Sequence, residues 1–190
     1  MGTAEKWRLF IGTQVPPSTA DLITEAMGRE LSRPHWRVAP PAQWHVTSLF
    51  IGARPLDQLE IIKEKVRTIA ARTTPFILTE GRPVLMPKEV PEMVWVKFQA
   101  SPELTRLHHT LAAAMAMPPS SYVPYWPHIT LARCKGVAPS LSEVQLHLSD
   151  FEVNALTLFR SESGPAGTIH RPIAEWPLSG TGPTGHSVGS

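Results

Sequence analysis

The chain has 190 residues, of which 42% are hydrophobic and 18% are charged, and its formal net charge is +2. This composition is typical of a folded globular protein with one domain or two small lobes, and it excludes a disordered chain. The small charge argues against a protein that coats long duplex nucleic acid, although it is compatible with a local basic patch. Cys134 is the single cysteine, so the chain can form neither an internal disulfide nor a zinc site built on cysteines.

The location of the protein is predicted from its apolar segments. The first residues lack the apolar core of a signal peptide, and no apolar run is long enough to span a membrane. We therefore expect a cytoplasmic monomer without a membrane partner.

Patterns in the first half of the chain predict two strands separated by a helix. The first strand covers residues 7–13. Ser18 is predicted to cap a helix whose apolar positions lie mostly three or four residues apart: Leu22, Ile23, Ala26, Met27 and Leu31. A short extended segment at 36–38 precedes a strand that begins near His45 and that we expect to end at Gly52.

The rest of the chain predicts two long helices and several strands. One helix has its apolar residues at Leu59, Ile62, Val66, Ile69 and Ala70. Ser101-Pro102-Glu103 is a helix start with proline at the first helical position, and this helix is predicted to reach about Met115. The other predicted elements are strands at 76–79, 84–86 and 93–98, a strand that begins at His128, a short helix at 141–148, and closing strands at 151–161 and 168–178.

The chain is predicted to form one domain, residues 1–178, followed by a disordered tail. Residues 179–190 are rich in Gly, Ser, Thr and Pro and cannot bury apolar surface. Within the domain, the order strand, helix, histidine-bearing strand occurs twice. This repetition suggests two related lobes, each a small antiparallel sheet backed by helices, whose histidine strands meet about a pseudo-twofold axis.

Two short motifs, His45-Val46-Thr47 and His128-Ile129-Thr130, carry the chemistry. Side chains two residues apart point to the same face of a strand, so each motif presents an imidazole and a hydroxyl together. Two imidazoles that face each other across a groove can act as general base and general acid without a metal. This arrangement suits phosphodiester chemistry, in which one oxygen attacks phosphorus while another leaves.

The bare His-x-Thr/Ser pattern is weak, because His108 and His147 also satisfy it. His108 falls in a helical pattern, where residues two apart diverge, and His147 precedes a predicted turn. For His45 and His128 the alternative is two half-buried strand histidines bonded to neighbouring backbone groups.

Longer segments around both motifs resemble the two-histidine (2H) phosphoesterase superfamily, and within it the RNA 2′,3′-cyclic phosphodiesterases, also called 2′-5′ RNA ligases. The similar segments are Trp44–Gly52, Pro127–Arg133, Arg8–Ile11 and Leu158–Ser161. The resemblance covers nearly the whole chain to about Leu178. It implies an α+β fold with two pseudo-symmetric antiparallel sheets that form a V-shaped cleft, with the helices outside.

The resemblance also implies a reaction and its residues. RNA or oligonucleotide ends with a 2′,3′-cyclic phosphate would be hydrolysed to 2′-phosphates, without a cofactor. His128 would activate water and His45 would protonate the leaving 3′-oxygen, although the symmetry of the motifs permits the reverse. Thr47 and Thr130 would donate hydrogen bonds to the non-bridging oxygens; filling the strand is the alternative role of each. Two other functions stay open: ATP-independent 2′-5′ RNA ligation, and nucleotide binding without catalysis.

Two arginines are candidates for phosphate binding. Arg133 resembles a phosphate-binding position of the family, but regular strand alternation puts it on the face opposite His128. Reaching the substrate would therefore require a bulge or the end of the strand. Arg160 is a weaker candidate.

Aromatic residues are candidates for base stacking or cleft lining. Trp126 shares its parity with His128 and could stack on a base, although packing would also explain it. The family often has an arginine near this position, so phosphate affinity or nucleotide preference could differ here. Phe10 and Ile11 would line the cleft or belong to the core. We expect no metal, because neither motif has a further ligand at zinc spacing.

Overall fold

The computed structural model describes residues 5–121, 125–134, 136, 140–141, 146–164 and 167–181. Within these residues there are nine strands and three α-helices. In chain order they are β1 (Lys6–Gln14), α1 (Pro17–Leu31), β2 (Trp36–Val38), β3 (His45–Pro55), α2 (Leu59–Ala70), β4 (Phe76–Met86), β5 (Met93–Lys97), α3 (Pro102–Ala114), β6 (His128–Cys134), β7 (Leu148–Val153), β8 (Ala155–Gly164) and β9 (Gly167–Pro177).

Hydrogen bonding joins the strands in the order β7-β4-β5-β6-β3-β1-β8-β9, and β2 adds to β6. Neighbouring strands are antiparallel throughout. The path divides into two four-stranded halves at the contact between β3 and β6, where a single residue pair is in register, Val46 with Ile129. This arrangement confirms the predicted α+β class with two antiparallel sheet halves.

The two halves are built from the same unit. In the first, β1 leads through α1 to β3; in the second, β5 leads through α3 to β6. Each unit pairs its first strand with its histidine strand, and the two histidine strands lie side by side at the centre. The sequence order of elements therefore predicted the pseudo-twofold relation of the halves.

The helices bury their apolar faces in the same core as the sheet. Buried helix residues include Ile23 and Met27 of α1, Val66 of α2 and Leu111 of α3, and they cluster with the buried strand residues Val46 and Ile129. The apolar spacing predicted for α2 is confirmed, because Ile62, Val66 and Ala70 are its buried residues. The opposite face of β3 and β6 is left for polar side chains.

Helix starts were predicted with mixed success. Ser101 caps α3 as expected, since its Oγ accepts a hydrogen bond of 3.0 Å from the amide of Leu104. The prediction that Ser18 caps α1 is wrong, because the helix already begins at Pro17 and no side chain caps it. Proline at the first helical position needs no amide partner there, and the helix starts two residues earlier than a cap at Ser18 would place it.

Several strand boundaries differ from the predicted ones. Gly52 does not end β3, which continues to Pro55. Gly52 has a φ of +78° and lies at a bulge, where β3 has an extra residue relative to β1. The predicted strands 76–79 and 84–86 form one strand, β4, which pairs first with β7 and then with β5. The predicted strand 151–161 is instead two strands that meet at Asn154, because the chain leaves β4 for β1 there.

The predicted helix at 141–148 lies partly outside the described residues, and Leu148 already belongs to β7. Most of the predicted tail, residues 179–190, also lies outside them. At its start, the amides of Ser179 and Gly180 donate hydrogen bonds to the carbonyls of Ala70 and Thr73. None of the helices in the described part of the chain is long and apolar enough to cross a membrane.

Candidate active site

The pairing of Val46 with Ile129 brings the two His-x-Thr motifs together. Both residues are buried in the core, with exposures of 1% and 0%. Because side chains alternate along a strand, the histidine and threonine that flank each of them point to the opposite face. Antiparallel pairing then sets His45 beside Thr130 and Thr47 beside His128. The four predicted polar residues therefore form one cluster in the cleft between the halves.

The two imidazoles are oriented in the same way. Nδ1–H of His45 donates to the carbonyl of Gln43 (2.7 Å), and Nδ1–H of His128 donates to the carbonyl of Trp126 (3.0 Å). A carbonyl only accepts, so Nδ1 carries the proton in both rings. In the neutral ring, Nε2 then holds the lone pair, as a proton acceptor requires.

Burial lowers the pKa of both histidines. The pKa of His45 is lowered to about 4: burial is the largest cause, the hydrogen bond to Gln43 opposes it, and the charges of His170 and His128 add to it. Burial also lowers the pKa of His128, with a smaller contribution from Lys97, while the hydrogen bond to Trp126 opposes the shift. Both rings are therefore predominantly neutral at pH 7 in the protein without substrate.

A β-bulge turns Arg133 toward the cleft. On β5, Trp95 lies opposite Thr130 and Met93 lies opposite Arg133, so β6 takes three steps where β5 takes two. Trp95 and Met93 share a face, and Arg133 consequently shares the face of Thr130 and His128. Burial lowers the pKa of another histidine of the cleft, His170, and the charge of Arg133 adds to this shift. The bulge that the phosphate-binding hypothesis required is present.

Aromatic and cationic side chains lie next to His128. The ring of Trp95 stacks on the imidazole with 3.8 Å between centroids, and Lys97 is the ladder partner of His128. Nζ of Lys97 lies 3.9 Å from the centre of the Trp126 ring, a cation–π contact. Trp126 is 40% exposed. It therefore lies at the site, with one ring face occupied by the ammonium group.

Another aromatic cluster surrounds His45. The ring of Phe10 lies 4.7 Å from the imidazole and stacks on Phe159 at 4.7 Å. Phe10 is 1% exposed, so it supports His45 from below and offers no ring face to a base. Its neighbour Ile11 is fully buried and belongs to the core.

A third histidine, His170, belongs to the site although the sequence analysis did not select it. Its ring meets that of His45 edge-on at 5.1 Å. Its Nδ1 lies 3.2 Å from Oγ of Ser161, and its amide donates to the side-chain oxygen of Gln43 (3.1 Å). Gln43 thus contacts both residues, the imidazole of His45 through its carbonyl and the backbone amide of His170 through its side chain. His170 lacks a His-x-Thr pattern, so no local signal pointed to it.

The other candidates lie elsewhere. Arg160 is on the opposite face of β8 from Phe159; its guanidinium stacks on Trp7 at 4.0 Å and pairs with Glu162 at 3.3 Å. The structure therefore does not bring Arg160 into the site. Among the described residues, no group of three or more His, Cys, Asp or Glu residues is placed to hold a metal ion.

The remaining two His-x-Thr/Ser patterns are separate from the cleft, as expected. His108 is buried on α3, where Nδ1–H donates to the carbonyl of Ser48. His147 is exposed just before β7 and lies 3.2 Å from Glu80; the turn predicted after it is wrong, because Leu148–Val153 is a strand.

A two-lobed antiparallel sheet that presents paired His-x-Thr motifs in one cleft defines the class of this protein, the 2H phosphoesterases. The family model of the 2′-5′ RNA ligase superfamily matches residues 15–165, and the chain belongs to this superfamily. The predicted family is thereby confirmed.

Individual relatives agree with this assignment. An RNA 2′,3′-cyclic phosphodiesterase of Thermus thermophilus is 29% identical in an alignment of 181 positions that covers 91% of each chain. The crystal structure of TT0787 from the same organism has a TM-score of 0.78 at 28% identity and covers 91% of this chain and 98% of its own. Escherichia coli LigT in complex with 3′-AMP shares the fold with a TM-score of 0.76 at 22% identity, over 92% of this chain and 99% of LigT.

Proposed function

We propose that this protein hydrolyses the 2′,3′-cyclic phosphate ends of RNA or oligonucleotides to 2′-phosphate ends, using His45 and His128 as its acid and base. The proposal is carried by the pairing of Val46 with Ile129, since with this pairing both His-x-Thr motifs point to the cleft side of the sheet, one from each half. Membership of the 2′-5′ RNA ligase superfamily and the name of the Thermus relative support the same reaction class.

The proposed reaction needs a base and an acid on opposite sides of phosphorus. Water attacks phosphorus opposite the 3′-oxygen, so a new P–O bond forms while the bond to the 3′-oxygen breaks. Following the precedent of the family, Nε2 of His128 takes the proton of water, and Nε2–H of His45 donates a proton to the 3′-oxygen. The 2′-oxygen keeps the phosphate.

To act as the acid, His45 must be protonated, but its ring is predominantly neutral at pH 7 in the protein without substrate. The pKa of His45 is about 4 without substrate, mainly because the ring is buried. An anionic phosphate beside the ring favours its charged form and raises that pKa. Substrate binding and proton uptake by His45 are therefore coupled in this mechanism, and exchanged roles would demand the same of His128.

Hydrogen-bond donors from both halves stabilise the negative charge that develops on the non-bridging oxygens. The hydroxyls of Thr47 and Thr130 flank the imidazoles. Arg133 and Lys97 supply positive charge on the side of the cleft formed by β5 and β6, next to His128. Donors held in place before the reaction are effective because they need no reorganisation as the charge grows. In this proposal the mechanism includes no metal ion.

Substituting either histidine tests the mechanism. We expect His45→Ala and His128→Ala each to lower the turnover of 2′,3′-cyclic AMP and of a short RNA with a cyclic end by at least ~100-fold, because each variant lacks the acid or the base. His147→Ala is the matched control, since it removes a histidine of the same local pattern outside the cleft. Wild-type rates should persist in EDTA.

Rates near the wild-type value in either cleft variant would contradict the mechanism. Product analysis separates the other functions: a 2′-phosphate supports the proposal, and net formation of 2′-5′ linkages from RNA ends would point to ligation instead. Tight binding of the cyclic nucleotide without turnover would indicate a binding module.

A further inference from the structure

The two halves of the molecule line the cleft with strands of different length. In the first half, β1 (Lys6–Gln14) pairs with β3 over nine residues; in the second half, β5 (Met93–Lys97) pairs with β6 over only five. Gly12 of β1 and Trp95 of β5 hold equivalent positions, because each lies opposite the threonine of a motif. The extra residues of β1 are therefore its first ones, and they have no counterpart on β5.

Lys6 and Arg8 lie on the cleft face of this extra segment. At both bulges between β1 and β3 the extra residue belongs to β3, so the side chains of β1 alternate regularly between the two faces. Leu9 belongs to the buried core, whereas the ring of Phe10 lies 4.7 Å from that of His45 in the cleft. Arg8 therefore follows Phe10 on the cleft face, and Lys6 follows Arg8.

The neighbouring acidic side chains lie elsewhere. On the opposite face, Glu5 accepts a hydrogen bond of 2.8 Å from Nε1 of Trp7, and Glu162 pairs with two arginines at 3.3 and 2.8 Å. Glu175 is bonded to Thr157, which lies opposite Gly12 and not beside the start of β1. The two cations on the cleft face are exposed, and neither side chain forms a hydrogen bond or ion pair with the described part of the chain.

We propose that Arg8 and Lys6, the basic strip of the cleft, bind the phosphates of the RNA single strand that leads to the cyclic end. This inference rests on the proposed function. A 2′,3′-cyclic phosphate occupies the 3′ end of an RNA, so the rest of the molecule leaves the terminal ribose on its 5′ side as a chain of anionic phosphates. A cationic strip beside the two histidines is complementary to that chain.

The spacing of the basic strip suits successive phosphates. Two residues of an antiparallel strand span about 6.8 Å, which is comparable to the distance between neighbouring phosphates of an extended RNA single strand. Arg8 is the nearer of the two cations to His45, so it binds the phosphate on the 5′-oxygen of the terminal ribose, and Lys6 binds the next one. Such contacts carry no base information but depend on salt. The basic strip thus favours longer RNA ends without favouring a sequence.

The test compares substrates that differ in the number of internal phosphates. They are 2′,3′-cyclic AMP, with none, and the di- and trinucleotides of adenosine with the same cyclic end, with one and two. We expect Arg8→Gln to lower the ratio of kcat/KM for the dinucleotide to that for 2′,3′-cyclic AMP by about 2- to 5-fold, the effect of losing one exposed ion pair. Lys6→Gln should lower the ratio of trinucleotide to dinucleotide in the same way.

Two further measurements separate a phosphate contact from a change in fold. For the trinucleotide, the slope of log kcat/KM against log salt should become shallower by about 0.7 for each cation removed. A dinucleotide with an uncharged methylphosphonate in place of its internal phosphate should give the same ratio in Arg8→Gln as in the wild type. Arg54→Gln is the matched control, because Arg54 is the ladder partner of Trp7 and removes the same charge from the opposite face.

Equal ratios in Arg8→Gln and Arg54→Gln would overturn the proposal, and so would a loss in Arg8→Gln that persists with the methylphosphonate. If the wild-type protein turns over none of these substrates, the proposed function fails by itself. The basic strip is then tested by fluorescence anisotropy with a labelled oligoadenylate that ends in a 2′-phosphate. Weaker binding by Arg8→Gln than by Arg54→Gln supports the basic strip, and equal binding contradicts it.

Discussion

The three histidines of the cleft are held by different kinds of contact. His45 and His128 donate from Nδ1 to a carbonyl two residues earlier in the chain, which is a local constraint. His170 lies on β9 and is near His45 only because of the order of the strands in the sheet. It lies close enough for its charge to act on the pKa of His45.

We predict that His170→Phe raises the pKa of His45. Two positive rings repel, so removing the charge of His170 favours protonated His45; the pKa should rise above about 4. It should stay below 6.5, because burial is the larger cause of the shift and phenylalanine preserves it. A titration of the His45 ring protons by NMR measures the change.

The groups that face His170 define the control for this prediction. They are the rings of His45 and Phe10, Oγ of Ser161 and, through its charge, Arg133. Ser161→Ala keeps the imidazole and should leave the pKa of His45 nearer to the wild-type value. A pKa of His45 that does not move in His170→Phe would show that the two rings do not interact electrostatically.

At the scale of elements, β1 packs closely against β3 beside the first motif. A Cβ atom added at Gly12 would lie 2.5 Å from the carbonyl oxygen of Val46 and 3.3 Å from its carbonyl carbon. These are backbone atoms, which cannot rotate away. Glycine at this position therefore allows β1 to support the strand that presents His45 and Thr47.

We predict that Gly12→Ala lowers the free energy of unfolding by about 1–3 kcal/mol, as expected when a packed site must expand. It should also lower turnover, because the displaced backbone of Val46 lies between His45 and Thr47. Urea unfolding and steady-state kinetics measure the two effects. Gly28→Ala is the control: nothing lies within 4 Å of the added Cβ in α1, and it should stabilise the helix by about 0.5–1 kcal/mol. Wild-type stability in Gly12→Ala would mean that β1 moves freely.

At the scale of the whole molecule, only one residue pair of the sheet joins the two halves, while their buried side chains form one common core. Besides the pair of Val46 and Ile129, the buried ring of His108 links them. Nδ1–H donates to the carbonyl of Ser48, the extra residue of β3 between the partners of Ile11 and Gly12 (2.8 Å), and Nε2 accepts from the amide of Ser120 (2.9 Å). Tyr125 stacks on the ring at 4.1 Å, one residue before Trp126.

We predict that His108→Phe lowers the free energy of unfolding by about 2–6 kcal/mol in a single transition. Phenylalanine keeps the stack with Tyr125 but loses both buried hydrogen bonds, at about 1–3 kcal/mol for each group left unpaired. Tryptophan fluorescence and far-UV circular dichroism during urea unfolding should give coincident midpoints, since the halves share one core. His109→Phe, which changes the exposed neighbour on α3, is the control. Separate midpoints would contradict a shared core.

The sequence by itself determined the local features of this protein. The period of two residues in His45-Val46-Thr47 and in His128-Ile129-Thr130 depends only on strand geometry, and the structure has both motifs at the head of strands. The spacing of apolar residues in α2 and the cap at Ser101 are equally local. Such features arise from contacts between residues a few positions apart, and the sequence pattern therefore predicts them.

Only the tertiary structure decided which distant groups share the cleft. The bulge that turns Arg133 toward the cleft exists because β6 has an extra residue relative to β5, and the sequence of one strand cannot show this. His170 joins His45 because β9 pairs with β8, which pairs with β1. Strand register and partner choice depend on long-range pairing within a common core, and this pairing completes the site around the two motifs.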